Sequence, residues 1–257
     1  LRVTLRALSV ATGLLWLFVG LFLATAIYSA MQIGIEEVSI SPPRVEGAAL
    51  YYNITIAIYN GGFYDISNLT ITTTMILNQT GDVILSTSSM LPAIEKGGRG
   101  TLVHVVVLDL AAVQEENAAV FRMLMLNNSD ITVVSSIGLL YAYTFWTELS
   151  TNFTAAWGAP LSGMRVWDYE LSGNVFSFNM TFVNNSLMSY SFWVEVLNDQ
   201  GEVVGTSSPV DMAPGYVLTG RVSVLVDLGG WTDSGTIVAH LSVDGTHLSL
   251  PVVGYHV

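Results

Sequence analysis

Cysteine is absent from all 257 residues. That one absence excludes a disulfide framework, thiolate metal sites and cysteine nucleophiles, so stability has to come from packing. Charge is also scarce, at 11% of the chain, where about 25% is usual. Ser, Thr, Asn and any sugars they carry must then cover much of the surface, which suits an exported protein. Of the charged residues the basic ones are the fewer, eight against twenty acidic ones. Nowhere is there a glycine-rich phosphate loop, a serine nucleophile elbow, a pair of catalytic carboxylates or a zinc-binding helix motif. No catalytic residue, metal ligand or cofactor site is therefore expected, and the chain reads as non-enzymatic.

The chain opens on a run from Ala7 to Ile35 without a single charge. As a helix it would reach roughly 43 Å at 1.5 Å per residue, enough to span a hydrocarbon core of about 30 Å with some tilt. Arg2 and Arg6 precede the run, and Glu36 and Glu37 follow it. The positive-inside bias then leaves the N-terminus cytoplasmic and the rest outside. A secretory signal peptide is the rival, because Ala24-Thr25-Ala26 suits a signal peptidase, but such an apolar region should span only about 7–15 residues. The first residue, Leu1, fits a trimmed leader or an alternative start codon equally. Without Arg2 and Arg6 the body carries six basic and twenty acidic residues, a formal charge of −14, which repels nucleic acid.

Small residues recur four apart within residues 1–35, as Ser9 and Gly13, Gly20 and Ala24, and Ala26, Ala30 and Gly34. Such spacing lets a second helix approach closely, so that van der Waals contact replaces the hydrophobic drive missing in lipid. Gly and Ala are also simply common in membrane helices. Self-association and membrane-protein partners are the expected partnerships.

Seven of the thirteen asparagines open an N-x-[ST] acceptor: Asn53, Asn68, Asn78, Asn127, Asn152, Asn179 and Asn184. Chance placement would give roughly two. All seven follow the apolar run, on the side expected to be outside, so N-linked glycans are expected.

Beyond the run, apolar residues alternate in short stretches bounded by Gly, Asn, Asp and Pro, the pattern of half-buried strands in a mainly β fold. The stretches are 50–59, 69–77, 101–110, 131–145, 175–183, 190–197, 217–227 and 236–253. The two halves also match in order. Tyr52-Asn53-Ile54-Thr55 matches Phe178-Asn179-Met180-Thr181, and Leu77-Asn78-Gln79-Thr80-Gly81-Asp82-Val83 matches Leu197-Asn198-Asp199-Gln200-Gly201-Glu202-Val203. Gly97 pairs with Gly215, and Asp109-Leu110 with Asp227-Leu228. Only the first copy continues into a helical pattern at about 111–126, where the second has Gly229-Gly230-Trp231-Thr232-Asp233. Expected boundaries are a helix over 1–35, a first sandwich over 36–154, a stiff linker over 155–165 around Trp157-Gly158-Ala159-Pro160, and a second sandwich over 166–257. Asp244-Gly245 predicts a two-residue type I′ hairpin near the end.

Each copy has a strand leading into Asn60-Gly61 or Asn184-Asn185, a turn at Gly81 or Gly201, and a long strand after a glycine turn. This pattern resembles the late-embryogenesis-abundant type 2 (WHy-like) domain. The resemblance implies two immunoglobulin-like antiparallel β-sandwiches in tandem, with a binding or protective role and no catalytic set.

Four further patterns are weighed against plainer readings. Asp233-Ser234-Gly235-Thr236 spells an aspartic-protease signature, but no partner carboxylate accompanies it, and a turn is the better account. A hydrolase reading would rest on Asp233 alone. Among His104, His240, His247 and His256, a hairpin sets His247 diagonal to His240, with no third metal ligand in view. Asp82, Asp199 and Glu202 are too few per turn for calcium, unless subunits share a site. The 111–126 helix is expected to cover an open face of its own sandwich, the alternative being a partner-binding element with Met123 and Met125.

The expectation is a structural glycoprotein of a prokaryotic, archaeal cell surface, whose helix sits in lipid or packs with its copies in a filament core. The layout is similar to that of archaeal type IV pilins, a long apolar helix followed by a β-domain. The alternative is a membrane-anchored accessory protein whose sandwiches bind a partner or steady a membrane complex, and the arginine pair favours it.

Overall fold

The computed structural model describes the backbone of residues 2–257 and the side chains of residues 8–257. Helix α1 (Arg2–Ala30) is unbroken because no proline interrupts it and its threonine hydroxyls turn back on its own carbonyls, Thr12 on Leu8 and Thr25 on Phe22, each at 2.9 Å. It ends five residues before the expected limit. Gln32 N–H donates to the Ser29 carbonyl at 3.1 Å, and Ile33–Ile40 forms strand β1 instead. Ile33, Ile35 and the residues after the bulge at Glu36 gain a strand partner, which suits β-branched side chains better than a last helical turn.

The body is mainly β, in four antiparallel sheets. In the first sheet, β3 (Ala49–Asn60) is flanked on one edge by β1 and the short β2 (Arg44–Glu46) and on the other by β6 (Arg99–Asp109). The second runs β5 (Val83–Ile94), β4 (Ile66–Leu77), β7 (Ser129–Tyr141), β8 (Phe145–Trp157). The third runs β14 (Val217–Leu225), β10 (Val175–Val183), β9 (Ser162–Ser172). In the fourth, β11 (Tyr190–Asn198) is bordered by β12 (Val203–Thr206) and β13 (Val210–Met212) on one edge, then by β15 (Ser234–Val243) and β16 (Thr246–His256). The second pair of sheets repeats the strand order of the first. Asp244 and Gly245 both take positive φ, 47° and 85°, as the expected hairpin between β15 and β16 requires.

The repeat extends to single hydrogen bonds. Asn60 Nδ2 donates to the carbonyls of Tyr64 and Ile94 at 2.9 and 3.0 Å, and Asn184 Nδ2 to those of Met188 and Met212 at 2.8 and 3.3 Å. Gly97 and Gly215 donate to the Asn60 and Asn184 carbonyls, each at 2.6 Å. Each buried amide thus ties the end of a central strand to the turn between two later ones.

The interior does not divide into one core per copy. Ile54, Ile56, Ile58, Ile66, Leu69, Ile71 and Leu102 form a core in the part of the first pair nearest α1. A larger core starts at Met75, Leu77, Val106 and Val133, passes through the inserted helices and runs on into Phe176, Phe178 and Phe182 of the second pair. The insertion is two helices, α2 (Leu110–Glu116) and α3 (Ala118–Leu126), where one was expected. Asn117 separates them by ending the first and capping the second, its side chain accepting from Val120 N–H at 3.1 Å.

These helices do not lie over a face of their own sheets; they fill the flank of the second pair between edge strands β9 and β16. Gln114 Nε2 donates to the Ser249 carbonyl, and the Arg122 guanidinium to the carbonyls of Pro251 and Val252. The connection between copies is also shorter than expected. Strand β8 runs to Trp157 and β9 begins at Ser162, leaving Gly158–Leu161, of which Ala159 and Leu161 are fully buried. A Cβ at Gly158 would stand 1.9 Å from the Asn185 carbonyl oxygen, so only glycine lets this link pass.

His104 points from β6 into the first pair, fully buried, with Nδ1 2.9 Å from Ser89 Oγ and no partner for Nε2. Burial pushes its pKa below the ordinary 6.5. The unfolded chain then takes up the proton first, so stability is complete above about pH 6.5 and falls as the pH drops towards the lowered native value. His104→Leu should flatten this acid limb, read as the difference in denaturant midpoint between about pH 7.5 and about pH 5.

Candidate assembly surface at the helix exit

One end of α1 is built into the first pair of sheets. Phe22, Thr25, Ala26 and Ser29, spaced to share one helix face, meet the loop after β3 and the strand ends around Tyr141. Ser29 is fully buried, and its Oγ accepts from the Phe63 N–H and shares a hydrogen bond with the Tyr141 hydroxyl. Thr25 Oγ1 lies 3.0 Å from the Tyr64 hydroxyl. Phe22 stacks on Phe145 at 6.0 Å and meets Tyr64 edge-on at 5.8 Å. Gly62 makes room, since a Cβ there would lie 2.2 Å from the Tyr141 hydroxyl.

This docking reassigns part of the small-residue pattern. Ala26 is buried against the chain's own sheets, and Gly34 belongs to β1, paired with Tyr59. Ser9, Gly13, Gly20, Ala24 and Ala30 remain exposed on α1. From Leu8 to Ala30 the helix is long and apolar enough to cross a membrane. Around its exit stand exposed Tyr28, Phe63, Tyr143 and Trp146, residue types that favour a membrane–water interface. The Tyr143 hydroxyl donates to Asp65 Oδ2 at 3.2 Å, and that carboxylate raises its pKa.

The exposed apolar surface continues past the helix. Edge strands β1 and β8 leave an open seam between the two sheets, a cavity of about 610 Å³ floored by Ile56, Ile58, Ile137 and Leu139. Residues that face inwards here are still wet: Ile35 is 64% exposed, Val38 59%, Ile40 56%, Leu149 67% and Phe153 46%. At the corresponding flank of the second pair, under α2 and α3, Leu248 and Leu250 of β16 are 1% and 4% exposed. The same flank is covered in one copy and bare in the other. The difference lies in contacts made only by the folded chain; in sequence, Leu149 and Phe153 fall between the expected strands 131–145 and 175–183, in a stretch with no strand pattern.

Of the expected glycan acceptors, Asn68, Asn78, Asn127 and Asn152 are exposed, and Asn53 and Asn179 are half-buried on outward faces of β3 and β10. Asn179 Nδ2 donates to Asp168 Oδ2 at 2.9 Å. Asn184 does not fit the expectation, being fully buried with its amide committed to two carbonyls. Its counterpart Asn60 has the same hydrogen bonds and is followed by Gly61-Gly62, so the repeat itself carried the signal that this asparagine is structural.

The remaining candidates stay apart. Trp193 lies between His240 and His247, ring centroids 5.3 and 5.8 Å away, and His240 Nε2 is 3.0 Å from Glu195 Oε2, outside hydrogen-bond geometry. Among the described residues no group of three His, Asp or Glu is placed to hold a metal ion. Asp233 sits in the turn before β15, its carbonyl accepting from Val257 N–H. Glu202 serves its own turn, its carboxylate accepting from Asn198 Nδ2, while the backbone N–H of Asp199 ties that turn to the loop before β15 by donating to Thr232 Oγ1.

No family model and no curated protein matches the chain. Among solved structures it is similar at low level to a red sea bream transglutaminase, with 12% identity and a TM-score of 0.30 over 84% of this chain and 31% of that one. An exo-chitosanase of Amycolatopsis orientalis matches with 14% identity and a TM-score of 0.26 over 77% and 25%. Latent PorU of Porphyromonas gingivalis matches with 10% identity and a TM-score of 0.29 over 86% and 20%. The chain spans less than a third of each of these proteins, and scores this low carry neither fold nor activity across.

Ser29→Ala should loosen the helix from the sheets, because the half-buried Phe63 N–H and the buried Tyr141 hydroxyl lose their shared partner at a cost of about 1–3 kcal/mol. A lower denaturant midpoint together with new proteolysis near Met31 and Gln32 would show it. Thr12→Ala, on the exposed stretch of α1, should change stability by less than about 0.5 kcal/mol.

Proposed function

We propose that this chain is a non-enzymatic structural glycoprotein of a prokaryotic, archaeal-type cell surface, a subunit of an assembly or pilus-like filament held together through α1. In this reading the two pairs of sheets are tandem immunoglobulin-like sandwiches related by duplication and displayed outside the cell. The observation that carries it is the apolar surface running on from α1 along the seam between β1 and β8. A lone anchor needs no such surface beyond its helix, whereas a subunit that packs against others does. The acidic, uncharged-polar body and the outward acceptor asparagines fit an external location.

A second reading has its own support. Ala7–Leu21, the uncharged stretch before the docked face, rises about 22 Å, short of a core of about 30 Å. A membrane span would therefore draw the aromatic collar of Tyr28, Phe63 and Trp146 into the interface, as in an anchored accessory protein whose sandwiches bind a partner, the role implied by the likeness to late-embryogenesis-abundant type 2 domains.

Shearing cells without detergent separates the two. Recovery of the intact chain, α1 included, in pelletable fibres is the expected result; recovery only in detergent extract would favour the anchored protein. Native mass spectrometry should exceed the 27.7 kDa of the bare chain, with glycans on the exposed acceptors and Asn184 unmodified. A bare mass would remove the glycoprotein part of the reading.

A further inference from the structure

We propose that the seam between β1 and β8 is closed, in the assembled state, by α1 of a second copy of this chain. The inference rests on the assembly reading above and deepens it by naming the contact. It starts from the duplication. The two pairs of sheets share their strand order, and in the second pair the flank between β9 and β16 is sealed by a helical segment. That segment places Phe121, Leu124 and Met125 in the core, and its polar side chains reach the free carbonyls of the edge strand. The architecture thus contains its own example of what this flank accepts, and in the first copy the place is covered only at one end, where Ala26, Ile27, Ala30 and Met31 of the chain's own helix end line the cavity. Its apolar floor and the five exposed inward residues extend from the end of α1 at least to Phe153, well past the reach of the aromatic collar.

The occupant must be apolar along its length, helical and available. α1 has those properties: it stands clear of its own body from Leu8 to Leu21, with Leu8, Leu14, Trp16, Leu17, Phe18 and Leu21 exposed, and none of its described apolar residues before Phe22 belongs to either core. Charge agrees with this pairing. The only charged residues of α1 are Arg2 and Arg6, while the rim of the seam carries exposed Glu37 on β1 and exposed Glu148 on β8. One uncovered apolar helix and one uncovered apolar seam on the same chain satisfy each other only between copies, since α1 is held by Ser29 and Tyr141 in a direction set by its own docking.

The test uses the full chain in its native surface fraction. A photoreactive phenylalanine analogue replaces Phe153, with the same analogue at outward-facing Glu148 as control, in cells that also make an isotope-labelled copy. Illumination should join light and heavy chains from position 153, with the adduct mapping to Arg2–Ala30 of the other copy, and should do so far less from position 148. Leu149→Lys, at a site already two-thirds exposed, should leave the melting temperature unchanged and cut the Phe153 adduct by about tenfold, because a charge would have to enter an apolar contact. Adducts to lipid, to a different protein, within one chain, or to another region of the second copy would each overturn the proposal. Fibres recovered on shearing together with such adducts would sink the seam contact alone. Detergent-extracted monomers with no inter-chain adduct would sink the assembly reading as well.

Discussion

Two sheets stacked face to face bury an interior, but the stack has flanks, and each flank ends in edge strands whose inner side chains and outer carbonyls need cover. This requirement organises the molecule. On one flank of each pair the chain itself crosses between the sheets, as from β5 to β6. On the other flank the second pair is sealed by α2 and α3, which are contributed by the first copy in sequence and serve the second in space. The larger core therefore runs through both copies, the link between them needs only four residues, and Gly158 has to lie against Asn185. The bare flank between β1 and β8 is the remaining case of the same requirement.

Much of this was legible in the sequence where a pattern had a local cause. Alternating apolar residues marked β3, β4, β10, β11 and β14, and Asp244-Gly245 marked the final hairpin, because side-chain alternation and positive φ are local properties. The order of the repeat was visible in Asn53 and Asn179, Gly81 and Gly201, and Gly97 and Gly215. What escaped were features decided by contact at a distance. Strand β8 looks too polar at Ser150, Thr151 and Asn152 to advertise itself, and is a strand because β7 offers it an edge. α1 stops at Ala30 because Ser29 is captured by Phe63 and Tyr141. The 111–126 pattern shows helix, but nothing local says which flank it will seal.

Asn184 illustrates how a motif and a fold can compete for one side chain. Read as a tripeptide it is a glycan acceptor; read as the counterpart of Asn60 it is a buried brace between a strand end and two turns. Burying an amide is tolerable only if its hydrogen bonds are made, and both of its N–H donors are occupied. At the candidate surface the sequence named α1 and its exposed small residues, yet missed the seam, since openness is a property of two sheets together.

The docking of α1 leaves no slack between helix and body: Ser29 is pinned, β1 begins three residues after Ala30, and the body continues through β8 and a buried link into the second pair. A tug applied at the far end would travel through packed side chains and strand ladders straight to the helix, with no compliant tether to absorb it. Mechanically the molecule is a strut rather than a flag on a string, and strain on its far end would be delivered to α1.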